Sequence, residues 1–386
     1  MQPKIVIIGA SYLQAPLVEK AREMGYQTHV FAWEEGAVCK EVADRFYPIS
    51  IKDYAKITAI GREIKPKGIV TISSDICSIT VNRVASQLGL IGNTQECTEL
   101  TTNKSLMRER LALTGIACPS FFVVESHENI DLPMGMKYPL IVKPTDRSGS
   151  IGVNYVETYE ALTDAVSNAI SLSFSGQAIV EEFIHGRELS VESISWDGKH
   201  YILQYTDKET TGFPHFVETG HHQPAELSRV DRHEIDKIVI SSLDALEIKY
   251  GASHAELKID ETGRCAIIEI GARMGGDFIG GKLVHLSTGY DYVKGVIEVA
   301  VGDFSAPRMN TIQSFSGIYY IMATPGKIKR IIVGSSNGIH EFGTMVSIGE
   351  TIQPITDSAQ RPAYYIYSYR ERLPYDPNFI RFLYAD

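Results

Sequence analysis

The chain has 386 residues, 44% of them hydrophobic and 22% charged, and its 37 basic and 47 acidic residues leave a formal net charge of −10. That is an ordinary globular composition with material for roughly two or three domains, and its acidic balance, with no dense basic stretch, argues against nucleic acid as the main partner. No run approaches the roughly 18 apolar residues of a membrane helix, and the apolar part of MQPKIVIIGAS is too short for a signal peptide, so the expectation is a cytoplasmic protein with no membrane partner. Cys39, Cys77, Cys97, Cys118 and Cys265 are odd in number and scattered without CxxC spacing. They read as reduced, mostly buried thiols rather than a disulfide framework or zinc site.

Residues 1–100 alternate strand and helix: KIVIIGAS, a helix opening near Pro16 and running to Gly25, QTHVFAW, a helix ending near Pro66, and GIVTISS. The pattern predicts a Rossmann-like domain with a parallel sheet. Its first turn, GASYLQ, lacks GxGxxG, which leaves a carboxyl-end crevice for a small substrate rather than a dinucleotide site. Ser74 and Asp75 would stand at the lip of that crevice, and Asp75 reads equally well as a helix N-cap.

From residue 103 the character changes. NKSLMRERLALTG predicts a helix, PSFFVVES a strand, and YPLIVKPTDRSGSIGVNYV a strand, a flexible loop and a second strand. Lys143 ends the first of these strands and is followed by Ser148, Gly149, Ser150, Ile151 and Gly152. Such a loop can lay backbone N–H groups against phosphate oxygens while the lysine supplies a fixed positive charge. The order of lysine and loop is the reverse of a Walker A motif. In QAIVEEFIHGRELSVESI, a buried strand bends through Gly186 into another, and a bend there presents the free backbone groups that an adenine edge requires. HFVETGHHQPAEL then brings Glu218, His221 and His222 ahead of Pro224.

HAELKID, the turn ETGR and CAIIEIGAR predict a β-hairpin. A turn centred on Thr262 and Gly263 sets Glu256 directly across from Glu269, with Lys258 on the same face and Leu257, Ile259, Ile268 and Ile270 on the apolar one. Two carboxylates about 5 Å apart repel by roughly 3 kcal/mol at an effective dielectric of about 20. A divalent cation reverses the sign, and hard carboxylate oxygens suit magnesium, which fills its remaining coordination with water and phosphate. Arg273 follows, then Met274, Gly275, Gly276 and Asp277. Residues 305–386 are strand-rich, with PGKIKRI among them, and offer no residue read as catalytic.

The ordered set of Lys104, Lys143 with its loop, the strand from Val180 to Ile184, Glu188, Glu256, Glu269 and Arg273 resembles the ATP-grasp superfamily. The ExxH of Glu218 and His221, combined with EIGARMGGD, resembles the L-amino acid ligases, including dipeptide synthetases. The resemblance implies a mixed α/β and α+β chain with an ATP-grasp fold. It divides the chain into a Rossmann-like domain at 1–100, an ATP-grasp domain at 101–304 with a glycine-rich lid at about 115–185, and a small strand-rich domain at 305–386. It implies ATP and Mg2+ as cofactors, with Mn2+ as the alternative ion, and small-molecule carboxylate and amine substrates. Lys104 and Lys143 would contact the nucleotide's phosphates, with Ser148, Gly149, Ser150 and Gly152 closing over them. The backbone of Glu181, Glu182, Phe183 and Ile184 would read adenine, and Glu188 the ribose hydroxyls. Glu256 and Glu269 would bind magnesium. The third ligand of the family is an asparagine two residues beyond Glu269, where this chain has Gly271.

Arg273 would steady the substrate carboxylate or the tetrahedral intermediate. Glu218 would favour an α-ammonium group, His221 would meet a developing phosphate or carboxylate charge and act in catalysis with Arg273 and Lys143, His222 would bind substrate, and Gly275 and Gly276 would let the backbone approach. Asp277 would shape the side-chain pocket of the first substrate and hint at a polar or cationic side chain. The implied reaction is ATP-dependent activation of a carboxylate as an acyl phosphate, followed by attack of an amine. A bicarbonate-activating enzyme of the carboxyphosphate type and a nucleotide-binding regulatory protein without turnover are the alternatives, and a homodimer is the usual prior for oligomeric state.

Overall fold

The computed structural model describes residues 2–126, 130–213, 215–308 and 314–385; parts of the expected lid (127–129) and C-terminal segment (309–313 and 386) lie outside the described residues. The first unit comprises β1 (Lys4–Ile8), α1 (Ala15–Glu23), β2 (Gln27–Ala32), β3 (Arg45–Pro48), α2 (Tyr54–Ile64), β4 (Gly68–Val70) and α3 (Asp75–Leu88). Its four strands are parallel in the order β3-β2-β1-β4. The near-continuous apolar run of β1 is what a sheet covered on both faces demands. Pro16 opens α1, and Ser74 caps α3 by accepting the Cys77 N–H. Ser74 therefore takes the capping role that Asp75 was also read for.

Two helices, α4 (Gln95–Thr102) and α5 (Lys104–Leu113), lead out of this unit. The Asn103 side chain accepts the N–H groups of Ser105 and Leu106, which fixes Lys104 as the first residue of α5. A small antiparallel sheet follows, ordered β5-β8-β6-β7, from β5 (Phe121–Val124), β6 (Leu140–Pro144), β7 (Asn154–Val156) and β8 (Ala178–Glu182). Helix α6 (Tyr159–Leu172) closes it by packing Leu162, Val166 and Ala169 against Leu140, Val142 and Val180.

The remaining elements are β9 (Arg187–Trp196), β10 (Lys199–Thr210), β11 (Glu218–Gln223), α7 (Arg229–Ala245), β12 (Gly251–Ile259), β13 (Cys265–Gly271), α8 (Val284–Thr288), α9 (Tyr292–Val301), β14 (Phe315–Tyr320), β15 (Gly326–Val333), β16 (Ile339–Thr344), β17 (Thr351–Ile352), β18 (Ala363–Tyr369) and β19 (Ile380–Tyr384). Eight of these strands form one sheet in the order β13-β12-β9-β10-β11-β14-β18-β16. The pairing of β11 with β14, Gly220 against Tyr319 and His222 against Gly317, carries the sheet unbroken across residue 305. β15 pairs separately with β17 and β19. On one side of the large sheet, α5 and α7 bury Leu111, Ile235 and Val239 against Leu189, Leu257 and Ile270. On the other, α9 joins Ile194 and Ala252 of the sheet to Ile5, Leu17 and Val18 of the first unit in one shared core. No helix among the described residues is long and apolar enough to cross a membrane.

The β12–β13 hairpin sets Glu256 opposite Glu269, as its alternation predicts, but by a different path. Gly263, at φ +83°, donates its N–H to the Asp260 carbonyl, so the turn sits one residue earlier than Thr262–Gly263. A bulge between Glu256 and Leu257 then restores the expected pair. The bulge puts Ile267, not Ile268 as the alternation predicts, with Leu257 and Ile270 in the core, and turns Ile268 toward a cavity on the other face. A single extra residue turns the side chain to the other face.

Gly186, where the chain bends from β8 into β9, has φ +143°, and a Cβ there would stand 2.2 Å from the Ile259 carbonyl oxygen. Gly186→Ala should destabilise the protein by roughly 2 kcal/mol or more, read as a shift of the urea midpoint.

Candidate functional site

A cavity of about 420 Å3 opens where α5, the small sheet and the large sheet converge. Lys104, Lys143, Ser148, Gly149, Ser150, Glu181, Glu182, Phe183, Ile184, Glu188, Glu218, His221, Glu256, Glu269, Arg273, Gly276 and Asp277 all line it. Three residues read as site members stand behind its walls. A Cβ on Gly152 would meet Leu172 and Pro144, so its bareness serves packing of the loop. His222 follows His221 on a strand, where successive side chains face opposite ways, and its Nδ1 lies 3.0 Å from the Tyr367 hydroxyl. Gly275 donates its N–H to Glu192 Oε2, and a Cβ there would come 2.5 Å from Glu192 Oε1.

The facing carboxylates are compensated by ammonium groups on either side. Lys104 Nζ lies 2.8 Å from Glu269 Oε1 and donates to the Arg147 carbonyl. Lys208 Nζ lies 2.9 Å from Glu256 Oε1 and 2.8 Å from Glu188 Oε1, with Glu218 at 4.0 Å. The Lys208 side chain is 4% exposed. Burial works against both charges, yet Lys208 and His254 hold the Glu256 carboxyl well below the usual range, and the surrounding acids hold Lys208 well above its own. His254 Nε2 lies 3.3 Å from Glu256, and its Nδ1 pairs with the fully buried Glu192. Despite burial, those two acids push the imidazolium up to about 9.

Among the described residues, no three His, Cys, Asp or Glu side chains converge as a metal-binding group. Glu256 and Glu269 face one another across the hairpin, and two carboxylates are a donor set that would leave a hard divalent cation such as magnesium most of its coordination for phosphate and water. The position of the absent asparagine is also filled: a Cβ on Gly271 would stand 3.1 Å from Asp75 Oδ1 and 3.2 Å from Arg273 Nε.

Arg273 is held by Asp75, with Nε 2.9 Å from Oδ1 and Nη2 3.2 Å from Oδ2. Its partner therefore comes from the first unit, not from either hairpin acid. Ser73 Oγ also donates to the Gly275 carbonyl, so that unit touches both the arginine and the glycine loop. Beyond the loop, Asp277 and Phe278 are both left-handed, at φ +50° and +63°, a conformation that side chains resist and that clusters at functional sites. The Asp277 carboxylate faces His221 Nε2 at 3.4 Å and forms a two-pronged pair with Arg361, both contacts at 2.9 Å. Burial works against its ionisation, but His221 and Arg361 hold the carboxyl well below the usual range.

Glu181 sits between two cations, Lys143 Nζ at 2.8 Å and Arg108 Nε at 2.9 Å, all three buried. The Arg108 contact is ionic rather than an aligned hydrogen bond, while its Nη2 donates to the Ile268 carbonyl. The triad ties α5, β6, β8 and the hairpin together.

Lys208, Arg108, His254, Glu192 and Arg361 escaped the sequence reading. Lys208 lies in YILQYTDKET, and nothing local distinguishes it from a surface lysine; its importance arises only when β10 pairs with β9 and β9 with β12. Arg361 stands 84 residues from Asp277.

Residues 136–280 match the family model described as ATP-grasp domain. The carbamoyl phosphate synthase large chain of Thermoanaerobacter pseudethanolicus is 23% identical over 330 residues, covering 78% of this chain and 29% of that protein. The alanine–anticapsin ligase of Bacillus subtilis (strain 168) is 24% identical over 230 residues, 54% of this chain and 48% of that one. The matches thus span less than half the length of these curated relatives. The solved L-amino acid ligase from Bacillus licheniformis superposes with a TM-score of 0.85, covering 100% of both chains at 22% identity, a likeness of fold.

Arg108→Met would strand the Glu181 carboxylate with only Lys143, and we expect it to lower stability by roughly 3–5 kcal/mol in chemical denaturation.

Proposed function

We propose that this protein, whose residues 136–280 match the ATP-grasp domain model, is an ATP-dependent carboxylate–amine ligase. It would phosphorylate the carboxylate of an amino acid or similar compound to an acyl phosphate and condense it with an amine, giving an amide or dipeptide, ADP and phosphate. The observation that carries this reading is a single cavity in which a facing carboxylate pair, buried lysines and an arginine share space with a second group of acids.

The phosphate end is Lys104, Lys143 and the loop Ser148–Ile151, where ammonium charge and backbone N–H groups would hold the nucleotide's phosphates. Gly149 and Ser150 have φ of +66° and +59°, which curls the backbone of that loop. Glu182, Phe183 and Ile184 offer backbone to an adenine edge; the Glu182 and Phe183 N–H groups are engaged by the Ser120 and Pro139 carbonyls, which leaves Ile184 as the donor. Glu188 would accept from the ribose hydroxyls. Glu256 and Glu269 would hold magnesium, or manganese in its place, which when bound neutralises charge on the transferring phosphoryl group.

At the other end, Arg273 would hold the substrate carboxylate, its guanidinium oriented by Asp75. Glu218 is 18% exposed and offers its carboxylate to a substrate ammonium. His221 is 1% exposed and faces Asp277, a geometry that suits orienting that acid more than meeting a phosphate. Lys208 joins Glu188, Glu256 and Glu218 and would keep the acids of the two ends from repelling one another.

The direct test is ADP or phosphate release over the twenty amino acids, singly and in pairs, with bicarbonate as control. Amino-acid-dependent release is the expected result; turnover with bicarbonate alone would mean the carboxyphosphate chemistry instead, and nucleotide binding without turnover a regulatory role. Glu269→Gln should cut turnover by roughly 100-fold or more while the circular dichroism spectrum stays unchanged. Lys208→Met should weaken nucleotide binding or turnover at least about tenfold, since it leaves Glu188 and Glu256 without their shared cation, and steady-state kinetics with ATP as the varied substrate would measure it.

A further inference from the structure

Arg361 comes from the C-terminal segment and is only 7% exposed, so its charge is placed in the interior. Four groups receive it. Its Nη1 and Nη2 pair with the two Asp277 oxygens at 2.9 Å, its Nε donates to the Ser358 carbonyl at 2.7 Å, Nη1 reaches the Glu218 carbonyl at 3.3 Å, and its guanidinium carbon stands 3.5 Å from the centre of the Tyr320 ring. A carboxylate, two carbonyl oxygens and an aromatic face are what a cationic side chain needs from a binding pocket. The seat adjoins the cavity, because Asp277, Glu218 and Ser358 all line it, and Leu13 and Ile279 supply apolar surface to the same cavity. Asp277 keeps 25% of its side chain exposed, but both of its oxygens are engaged.

We infer that Arg361 is a specificity-determining residue that fills this cation seat from within, so that the side-chain pocket takes neutral amino acids and turns away lysine-like and arginine-like ones. This rests on the ligase reading above and reverses what Asp277 alone suggests, since an acid already paired offers an incoming cation no net charge. A cationic substrate would have to displace Arg361 and leave that arginine buried without a partner. A neutral side chain meets only the paired groups and the apolar wall.

The experiment measures ADP release and calorimetric amino acid binding for the intact protein with ATP and magnesium, over neutral (alanine, leucine, methionine), cationic (lysine, arginine) and acidic (aspartate, glutamate) substrates. The wild type should favour the neutral set. Arg361→Gln should raise the kcat/KM ratio of lysine to leucine by about tenfold or more, and adding Asp277→Asn should abolish that gain. A ratio unchanged in Arg361→Gln, or a wild type that already prefers cationic substrates, would overturn the inference while leaving the ligase reading intact. So would a wild-type preference for acidic substrates that Arg361→Gln removes, since Arg361 would then meet substrate directly. Should Arg361→Gln fail to fold, Asp277→Asn alone decides: with Arg361 left unpaired, acidic substrates should gain about tenfold on neutral ones, and no gain would sink the idea. Absence of ADP release with every amino acid would bring down the ligase reading, and this inference with it.

Discussion

Two carboxylates set face to face on adjacent strands are the constraint around which the rest is arranged. Glu256 and Glu269 repel one another, and the fold answers with a cation on each: Lys208 on Glu256 and Lys104 on Glu269. Each lysine arrives from a different element, β10 and the first turn of α5, so the electrostatic requirement is also a requirement on tertiary structure. His254 and Glu192 extend the chain of charges to the Gly275 N–H, linking the hairpin to the glycine loop beyond it. On the proposed reading, nucleotide phosphates and a divalent ion would let the lysines and acids exchange partners without leaving a charge bare.

The same economy appears at the opposite end. Asp75 fixes Arg273, Arg361 fixes Asp277, and Ser358 donates to Glu218, so every charged side chain there is held by one from another segment. Preorganised charge of this sort costs no rearrangement at the moment of reaction. It also means that the first unit and the last eighty or so residues help build the cavity, although neither carries the loop Ser148–Ile151.

What could be read along the chain was what depends on near neighbours. The hairpin acids were legible because alternation and a turn lie within a few residues of each other, and even there the bulge was not, since nothing in AIIEIG marks Ile268 as the extra residue. Lys143 with its loop and the bend at Gly186 were similarly local. Lys208, Arg108 and Arg361 were not, because a strand lysine or a helix arginine acquires its meaning from the strand or loop that folds against it. The two adjacent histidines show the limit from the other side: both looked like site residues in a list, yet a strand can present only one of them to the cavity.

The continuity of the large sheet across β11 and β14 has a consequence for how this chain can be divided. His221 and Glu218 sit on β11, whose outer neighbour is a strand from the C-terminal segment. Remove that segment and β11 becomes an open edge, with the N–H and C=O groups of Gly220–Gln223 free to recruit another chain. A fragment ending near residue 305 would thus lose more than Arg361 and Ser358: it would acquire a sticky margin at the wall of the cavity. The last strands work as a selvedge, finishing the sheet beside Glu218 and His221.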